Sequence, residues 1–402
     1  MRRLVRPLVA ALLILALAGA GGAVWKRDEI ARLHAVNTLF APDRIAANFS
    51  AMETMFHSRA MDAGTPAPLP PAGRSLAEAL PPELLSDWQA WLDARAVTGW
   101  VILQDGALLA EGYPHGGPAD RRISWSMAKS VLALLLGQLE AEGVIALDTA
   151  ASDLVPALRG GAYDGVTLHD ILRMRSGVAF DEDYFAFNSD INRMGRVLAL
   201  GGSMDGFAAA LTERRGTPGA DWQYVSIDTH VLGMAIRAAT GQSIPELIAA
   251  RLFRPLGLDP DPLYLTDGHG VAFVLGGLVM TTRDYARLGW LVAQGGQWQG
   301  RQIVPAEWIA RATTPDPPGA RYGLHWWLPP AAQGGETYAR GIYGQFLWID
   351  PARGVVIAVN AADRGFRTPG AEAGAIALFR RLSAALAPPG PRPGIDSPRR
   401  AP

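Results

Sequence analysis

The sequence Ser126-Met127-Ala128-Lys129 opens an apolar run that continues from Val131 to Leu136. The run is typical of a buried helix, in which residues three positions apart lie on the same face. The Lys129 amine can therefore reach the Ser126 hydroxyl. A serine hydroxyl is a weak nucleophile until a base takes its proton, and a buried lysine can be neutral enough to do so. The stretch predicts Ser126 as nucleophile and Lys129 as its base.

Lysine is rare in this chain, which strengthens the prediction. The sequence has 37 basic residues, and only Lys26 and Lys129 are lysines. Arginine supplies positive charge but does not give up its proton in proteins. A lysine inside the folded part therefore indicates a need for an amine that can act as a base. The alternative is an amphipathic helix whose lysine extends into solvent.

Strand patterns stand near both ends of the main body, and helical patterns lie between them. Two hairpins are predicted, at 99–103 with 107–111 and at 345–350 with 354–360, and a helix is predicted at 371–386. Apolar helical segments are predicted near 131–142, 168–174, 230–240 and 245–253. We therefore expect an α+β fold, in which an antiparallel sheet flanked by terminal helices carries an inserted all-helical domain.

The N-terminal residues 1–26 are typical of an export signal. Arg2, Arg3 and Arg6 precede a run without charge at residues 7–25, and Ala18-Gly19-Ala20 offers a cleavage site. At about 1.5 Å per residue, the same run nearly spans a bilayer of about 30 Å. A cleaved signal peptide and an uncleaved membrane anchor both stay open. Either one predicts an exported protein, periplasmic or anchored to the inner membrane with its catalytic domain outside.

Composition shifts divide the rest of the chain. Residues 27–75 form an N-terminal segment that ends in a proline-rich linker or surface strap, with four prolines between residues 65 and 73. Residues 76–386 are predicted to form the catalytic domain. Residues 387–402 are rich in proline and poor in apolar side chains, so we expect a disordered tail.

Several functional classes are disfavoured by the composition. The formal net charge is −1 and no basic stripe is interleaved with aromatic residues, so no nucleic-acid partner is expected. The chain has no cysteine, which excludes disulfides and a thiol nucleophile. Its seven histidines lack ligand-like spacing, so we expect neither a metal nor another cofactor. The oligomeric state stays open.

A Ser-x-x-Lys sequence at the start of a buried helix resembles the serine β-lactamase, penicillin-binding-protein and esterase superfamily. The resemblance implies an acyl-enzyme on Ser126, at the junction of a sheet and a helical domain. The second motif of the family is Ser-x-Asn or Tyr-x-Asn, and Tyr224-Val225-Ser226 resembles the second form with serine in place of asparagine. The resemblance implies that Tyr224 shares proton transfer with Lys129.

The third motif of the family supplies a lysine on a strand, and this chain has none there. The sequence from Arg340 to Gln345 instead resembles hydrolases that act on 6-aminohexanoate oligomers. This resemblance implies that the Ile342 and Ser126 amides bind the oxyanion, and that Tyr184 and Gln345 bind substrate, Tyr184 through the substrate amide. The acidic residues beside Tyr184, at 181–183, fit a solvated loop or helix cap equally well.

The predicted function is hydrolysis of a small-molecule amide or ester. One alternative is a β-lactamase or a penicillin-binding DD-peptidase, which export favours and the missing third-motif lysine disfavours. Whether Arg340 replaces that lysine stays open. A second alternative is a non-catalytic membrane-tethered binding protein, against which the presence of Ser126, Lys129 and Tyr224 argues. A membrane partner is expected only if the N-terminal segment stays uncleaved.

Overall fold

The computed structural model describes residue 21 and residues 26–387, with only the backbone at residues 28 and 29. Apart from residues 21, 26 and 387, the predicted export signal at 1–26 and the predicted tail at 387–402 lie outside this part. Within the described residues, no helix is both long enough and apolar enough to cross a lipid bilayer.

The strands build one five-stranded and one four-stranded antiparallel sheet. The bounds are β1 His57–Ala60, β2 Val97–Gln104, β3 Ala107–Gly112, β4 Arg122–Ile123, β5 Leu263–Thr266, β6 Leu278–Met280, β7 Gln297–Trp298, β8 Arg301–Gln302, β9 Thr337–Gly341, β10 Gln345–Asp350 and β11 Val355–Ala361. The larger sheet has the order β3-β2-β11-β10-β9, and the smaller has the order β1-β5-β6-β4. Strands β7 and β8 pair with each other.

Both predicted hairpins are present in the larger sheet, as β2–β3 and β10–β11. Asp105 and Gly106 join the first pair with φ angles of 51° and 79°. These are the two positive angles that a type I′ turn requires, and glycine adopts them without steric cost.

The helices in the described part range in length from about one turn to more than four. Their bounds are α1 Arg27–Thr38, α2 Ile45–Asn48, α3 Leu76–Ala79, α4 Pro82–Ala94, α5 Met127–Ala141, α6 Ala151–Leu154, α7 Leu168–Leu172, α8 Asp190–Ala199, α9 Met204–Ala209, α10 Ser226–Thr240, α11 Ile244–Ile248, α12 Arg254–Leu256, α13 Thr282–Ala293, α14 Ala306–Ala312 and α15 Ala371–Leu386. All four helical segments predicted in the middle of the chain contain a helix. No strand named above falls between α5 and α12.

The two faces of the larger sheet are covered by different parts of the chain, because successive side chains on a strand point to opposite faces. One paired row contains Tyr338, Trp348, Ile357 and Ile102, and packs with α4 and α15 in one core. The next row contains Ala339, Leu347, Ala358 and Val101, and belongs to the core shared with α5. The predicted antiparallel sheet flanked by terminal helices is confirmed. The separate helical domain stays a prediction, since this second core runs through sheet and helices alike.

Helix α5, which carries the proposed base, lies in the centre of that core. Every residue from Met127 to Leu139 is buried. A helix that is apolar all round is expected to be surrounded by protein. Gly137 allows the Trp308 ring to lie directly on the helix, since a Cβ there would come within 2.3 Å of it. The helix is therefore enclosed by protein along most of its length.

Residues 27–75 pack into the same body. Strand β1 pairs with β5, and Phe49 and Met52 are buried in the core that contains α5. The proline-rich stretch runs along β3, where the Ala72 N–H donates to the Leu108 carbonyl at 3.0 Å. The segment that the sequence places before the catalytic domain thus contributes to the core around the site.

Candidate active site

The structure places the Ser126 and Lys129 side chains in contact at the start of α5. Ser126 directly precedes the first residue of the helix, and the Lys129 Nζ lies 2.9 Å from the Ser126 Oγ. The amine also donates to the Leu275 carbonyl at 2.8 Å, which fixes its direction. Burial lowers the pKa of Lys129 to about 7, although the charges of Glu182 and Asp228 oppose the shift. The amine is thus poised to accept a proton near neutral pH.

Tyr224 lies over the same amine. Its ring centre is 5.2 Å from the Lys129 Nζ, and the ring stacks on Trp327 at 5.6 Å. Burial raises the pKa of Tyr224, and the charge of Glu182 raises it further, while contact with Ser126 opposes the shift. The phenol is therefore protonated at neutral pH. This protonation state favours a proton donor over a phenolate base.

The backbone before Ser126 and the backbone before Ile342 meet at the end of β9. A Cβ at Gly341 would lie 2.5 Å from the Ser124 carbonyl and 2.9 Å from the Trp125 Cβ, so only glycine permits this approach. Trp125 and Tyr343 have positive φ angles of 43° and 59°. Non-glycine residues in this region cluster at functional sites, because the strain must be held by surrounding contacts.

Two aromatic residues from the N-terminal segment pack on these strained positions. Phe49 makes edge contacts with Trp125 and Tyr343, both at 5.4 Å between ring centres. Its carbonyl accepts a hydrogen bond from the Ile123 N–H at 3.0 Å. Phe40 stacks on Tyr343 at 4.9 Å. No sequence pattern pointed to either residue, because nothing in a short helical segment indicates which distant ring it will contact.

Glu182 is a further functional residue that no sequence pattern singled out. The exposed Asp181 and Asp183 cap their own loop, each accepting a backbone N–H two residues on at 2.9 Å. Glu182 points inward, where the Ser226 hydroxyl donates to it at 3.2 Å and the Ser226 N–H also donates. Burial raises the pKa of Glu182, although the Lys129 charge opposes this. Ser226, which replaces the expected asparagine, thus holds an acid beside the base.

Tyr184 lies in the site as a hydrogen-bond partner of Glu182. Its hydroxyl donates to the Glu182 carboxylate at 2.9 Å, and burial raises its pKa well above the usual value. The structure therefore brings Tyr184 close to Ser226 and to the base, as expected for a residue near the substrate. Its contact with a substrate amide stays a prediction.

Gln345 requires a correction, because its amide is occupied within the protein. Its Nε2 donates to the carbonyls of Ala361 at 2.7 Å, Tyr343 at 3.2 Å and Ile342 at 3.3 Å. Its Oε1 accepts from the Asn360 side chain at 3.0 Å. No donor is left for a substrate. The side chain instead holds the turn at residues 342–344 in place, and we assign it a positioning role.

The Arg340 side chain has partners on the face of the larger sheet that points away from the core containing α5. It shares the face of Tyr338, forms an ion pair with Glu372 at the start of α15, and lies 4.9 Å from the centre of the Trp327 ring. The Tyr338 hydroxyl donates to the same Glu372 carboxylate at 2.6 Å. The guanidinium thus already has an acidic partner.

Residues 99–380 match the model of the family described as Beta-lactamase. The chain belongs to the beta-lactamase family. Over 292 residues it is 30% identical to the 6-aminohexanoate-dimer hydrolase of Paenarthrobacter ureafaciens, an alignment that covers 68% of this chain and 74% of that protein. Esterase EstB of Burkholderia gladioli is 31% identical over 144 residues, which are 33% of this chain and 36% of the esterase. This beta-lactamase-family chain is a serine hydrolase.

Solved structures support the fold. A Bacillus anthracis protein, provisionally named a 6-aminohexanoate-dimer hydrolase, superposes with a TM-score of 0.76 at 20% identity, covering 87% of this chain and 96% of that one. The octameric penicillin-binding protein homologue from Pyrococcus abyssi superposes with a TM-score of 0.54 at 18% identity, covering 74% and 77%. The mixed helical and antiparallel architecture is therefore that of the family.

Proposed function

We propose that this hydrolase cleaves a linear amide or an ester through an acyl-enzyme on Ser126. The observation that carries the proposal is the 2.9 Å contact between the Ser126 Oγ and the Nζ of a buried lysine whose pKa is lowered to about 7. As the Oγ attacks the substrate carbonyl, its proton passes to Lys129. The amides of Ser126 and Ile342 bind the oxyanion, an interaction that is typically worth about 3 kcal/mol per donor in the transition state.

Tyr224 completes the proton transfer. Its raised pKa keeps the phenol protonated until it donates this proton to the departing nitrogen or oxygen, and the Lys129 ammonium then returns a proton to the phenolate. Water then attacks the acyl-enzyme by the same steps in reverse, which releases the acid and restores Ser126. Substrate and water together supply all the atoms of the two products.

The substrate assignment rests on the relatives and on Arg340. The named relatives are a 6-aminohexanoate-dimer hydrolase and an esterase. Arg340, which stands near the position of the missing third-motif lysine, pairs with Glu372. A β-lactam carboxylate that lacks a cationic partner loses a charge-assisted hydrogen bond, worth about 1.5–3 kcal/mol. These observations favour a small linear amide or ester over a β-lactam, and over the DD-peptidase alternative.

We also propose that residues 1–26 direct export and leave the catalytic part outside the inner membrane. The basic start and uncharged run support this placement. N-terminal sequencing of protein recovered from the cell envelope distinguishes the two forms. A start near Ala20 identifies a cleaved signal, and an intact start identifies an anchor.

The substrate assignment is tested by comparing kcat/KM for a butyrate ester, the 6-aminohexanoate dimer and nitrocefin. We expect the ester or the linear amide to exceed nitrocefin by about a hundredfold, the larger value for a lost charged hydrogen bond. Arg340→Ala should leave this ranking unchanged, as should the control Arg381→Ala, which breaks an exposed ion pair with Asp87. Efficient nitrocefin turnover that collapses only in Arg340→Ala restores the β-lactamase alternative.

The pH dependence of the reaction follows from Lys129. Its pKa is about 7, so the protonated amine, which cannot act as a base, predominates at any pH below that value. We therefore expect kcat/KM for the ester to fall about tenfold per pH unit below 7 and to level off above it. Glu182→Gln removes a charge that raises the pKa of Lys129, so the inflection should move to lower pH. Asp183→Asn, on the exposed side of the loop, should leave it in place, and an unmoved inflection in Glu182→Gln contradicts this assignment.

A further inference from the structure

The large exposed hydrophobic side chains of the described part are concentrated in one region. Five of them, which we call the apolar rim, are Ile30, Leu33, Phe40, Phe185 and Phe187. The exposed fractions of Phe185 and Phe187 reach 70% and 73%. Isolated exposed hydrophobic residues are common on proteins, whereas neighbouring ones mark a surface that binds something.

Ring contacts connect one side of the apolar rim. Phe40 stacks on Tyr343 at 4.9 Å, and Tyr343 contacts Phe366 at 4.8 Å. The next residue, Arg367, places its guanidinium 5.5 Å from the Phe185 ring. These contacts lead without a gap from the segment after α1 to the loop before α8.

Helix α8 connects the two ends of the apolar rim. Its Arg196 lies 4.2 Å from the centre of the Phe187 ring and donates to the Phe187 carbonyl at 2.7 Å. The same helix packs against α1, which carries Ile30 and Leu33 and ends two residues before Phe40. The rim therefore returns to its starting point.

Two parts of the apolar rim lie next to active-site residues. Tyr343 directly follows Ile342, and Phe40 lies 5.9 Å from Trp125, the residue before Ser126. On the other side, Tyr184 is joined to Phe185 and bonds to Glu182 inside the site. A surface that covers the apolar rim therefore lies close to the active site.

The chemistry of the rim fits the boundary between lipid headgroups and acyl chains. Aromatic rings and arginines are enriched there, because the rings enter the acyl boundary while guanidiniums reach phosphates. Arg196 and Arg367 both lie over rim rings. Two nearby acidic groups are paired, with Asp183 3.8 Å from Arg367 and Asp190 3.0 Å from Arg193. These two acids therefore add little unpaired negative charge opposite an anionic surface.

The sequence before α1 indicates what covers this surface. The uncharged run at 7–25 ends five residues before Ile30. Residue 26 and the first turn of α1, which begins at Arg27, join the run to Ile30 and span at most about 12 Å, so a bilayer that receives this run lies within reach of the rim. We propose that the apolar rim rests on a phospholipid bilayer, so that the active-site entrance opens toward the lipid surface. This inference rests on the export and membrane placement proposed above, and it names the surface that the site faces.

The test uses the full chain, whose lack of cysteine allows a single labelled position in each variant. Leu33→Cys and Phe187→Cys place an environment-sensitive fluorophore on the rim. Ala90→Cys places it on exposed α4, beyond the opposite face of the larger sheet. Each variant is reconstituted in vesicles of equal parts phosphatidylcholine and phosphatidylglycerol. We expect a blue shift and quenching by nitroxide-labelled lipid at positions 33 and 187, with neither effect at position 90.

Other occupants give different results, and each overturns the proposal. Water-like emission at positions 33 and 187 in vesicles excludes a bilayer contact. Shielding without lipid that increases with protein concentration identifies a second copy of the chain. Shielding without lipid at every concentration identifies the chain's own N-terminal residues.

A matched pair of variants separates this inference from the catalytic proposal. The double variant Phe185→Ser with Phe187→Ser should lose the lipid quenching at position 33. Val144→Ser, at an exposed hydrophobic residue outside the rim, should retain it. Both variants should keep parental kcat/KM for a soluble butyrate ester. Undiminished quenching in the double variant overturns the rim as the contact surface, whereas an inactive parent chain overturns only the catalytic proposal.

Discussion

Replacing Lys129 with arginine is expected to reduce kcat/KM for the butyrate ester by at least about a thousandfold, or about 4 kcal/mol of transition-state stabilisation. The substitution retains the positive charge but removes the ability to accept a proton near neutral pH. Arginine also cannot reproduce the short contacts of the amine, whose Nζ lies 2.9 Å from the Ser126 Oγ and 2.8 Å from the Leu275 carbonyl. The measurement is the steady-state rate at pH 8, where the parent lysine is mostly neutral.

The chain offers a matched control for this exchange. Lys26→Arg makes the same substitution at the other lysine, outside the site, and should retain parental activity. Because an arginine is large for a buried position, Lys129→Met provides a second inactive variant of similar length without charge. Thermal unfolding reports whether each variant is folded. Activity within about tenfold of the parent in a folded Lys129→Arg or Lys129→Met would exclude Lys129 as the base.

Glu182 also influences the pH at which Lys129 can act as a base. A lysine buried among apolar side chains alone would lose its proton even more readily, and Glu182 and Asp228 oppose that tendency. Asp228 is itself buried, and its pKa is raised to about 8 although the Tyr163 hydroxyl donates to it at 2.6 Å. Asp228 is therefore largely protonated at neutral pH, and the pKa of Lys129 is set mainly by burial on one side and by Glu182 on the other.

The elements that follow local rules could be predicted from the sequence. The β2–β3 hairpin depends on two short apolar segments and on the two turn residues Asp105 and Gly106 between them, and α15 begins and ends where its apolar periodicity does. The Ser126 and Lys129 pair is also local, since one helical turn fixes their spacing. These features require no knowledge of distant contacts.

The features that the sequence did not reveal depend on tertiary packing. The orientation of Glu182 depends on Ser226, 44 positions along the chain, and only the folded loop separates it from its two exposed neighbours. Gln345 was predicted to bind substrate from its motif, yet its amide bonds to carbonyls that the hairpin brings together. The role of Phe49 depends on two strained residues that lie far from it in sequence. No periodicity within one segment encodes such relations.

The nucleophile itself gives the most direct test. We expect a fluorophosphonate probe to label the protein at one serine, and Ser126→Ala to abolish this labelling. The same substitution should reduce ester turnover by a factor of about a thousand or more, as is typical when the nucleophile of a serine hydrolase is removed. The reason is covalent: without the Oγ no acyl-enzyme forms, and the oxyanion amides and Lys129 have no bound intermediate to stabilise.

Ser130 supplies the matched control, since it lies one helical turn further on the same buried helix. Its hydroxyl donates to the His325 carbonyl at 2.6 Å. Among the described residues, it forms no hydrogen bond with the Lys129 amine. Ser130→Ala should therefore cost about 1 kcal/mol of folding stability, the usual value of one buried hydrogen bond, while keeping the label. Mass spectrometry of the labelled peptide identifies the modified serine. A label that persists in Ser126→Ala, or that disappears in a folded Ser130→Ala, would assign the nucleophile elsewhere.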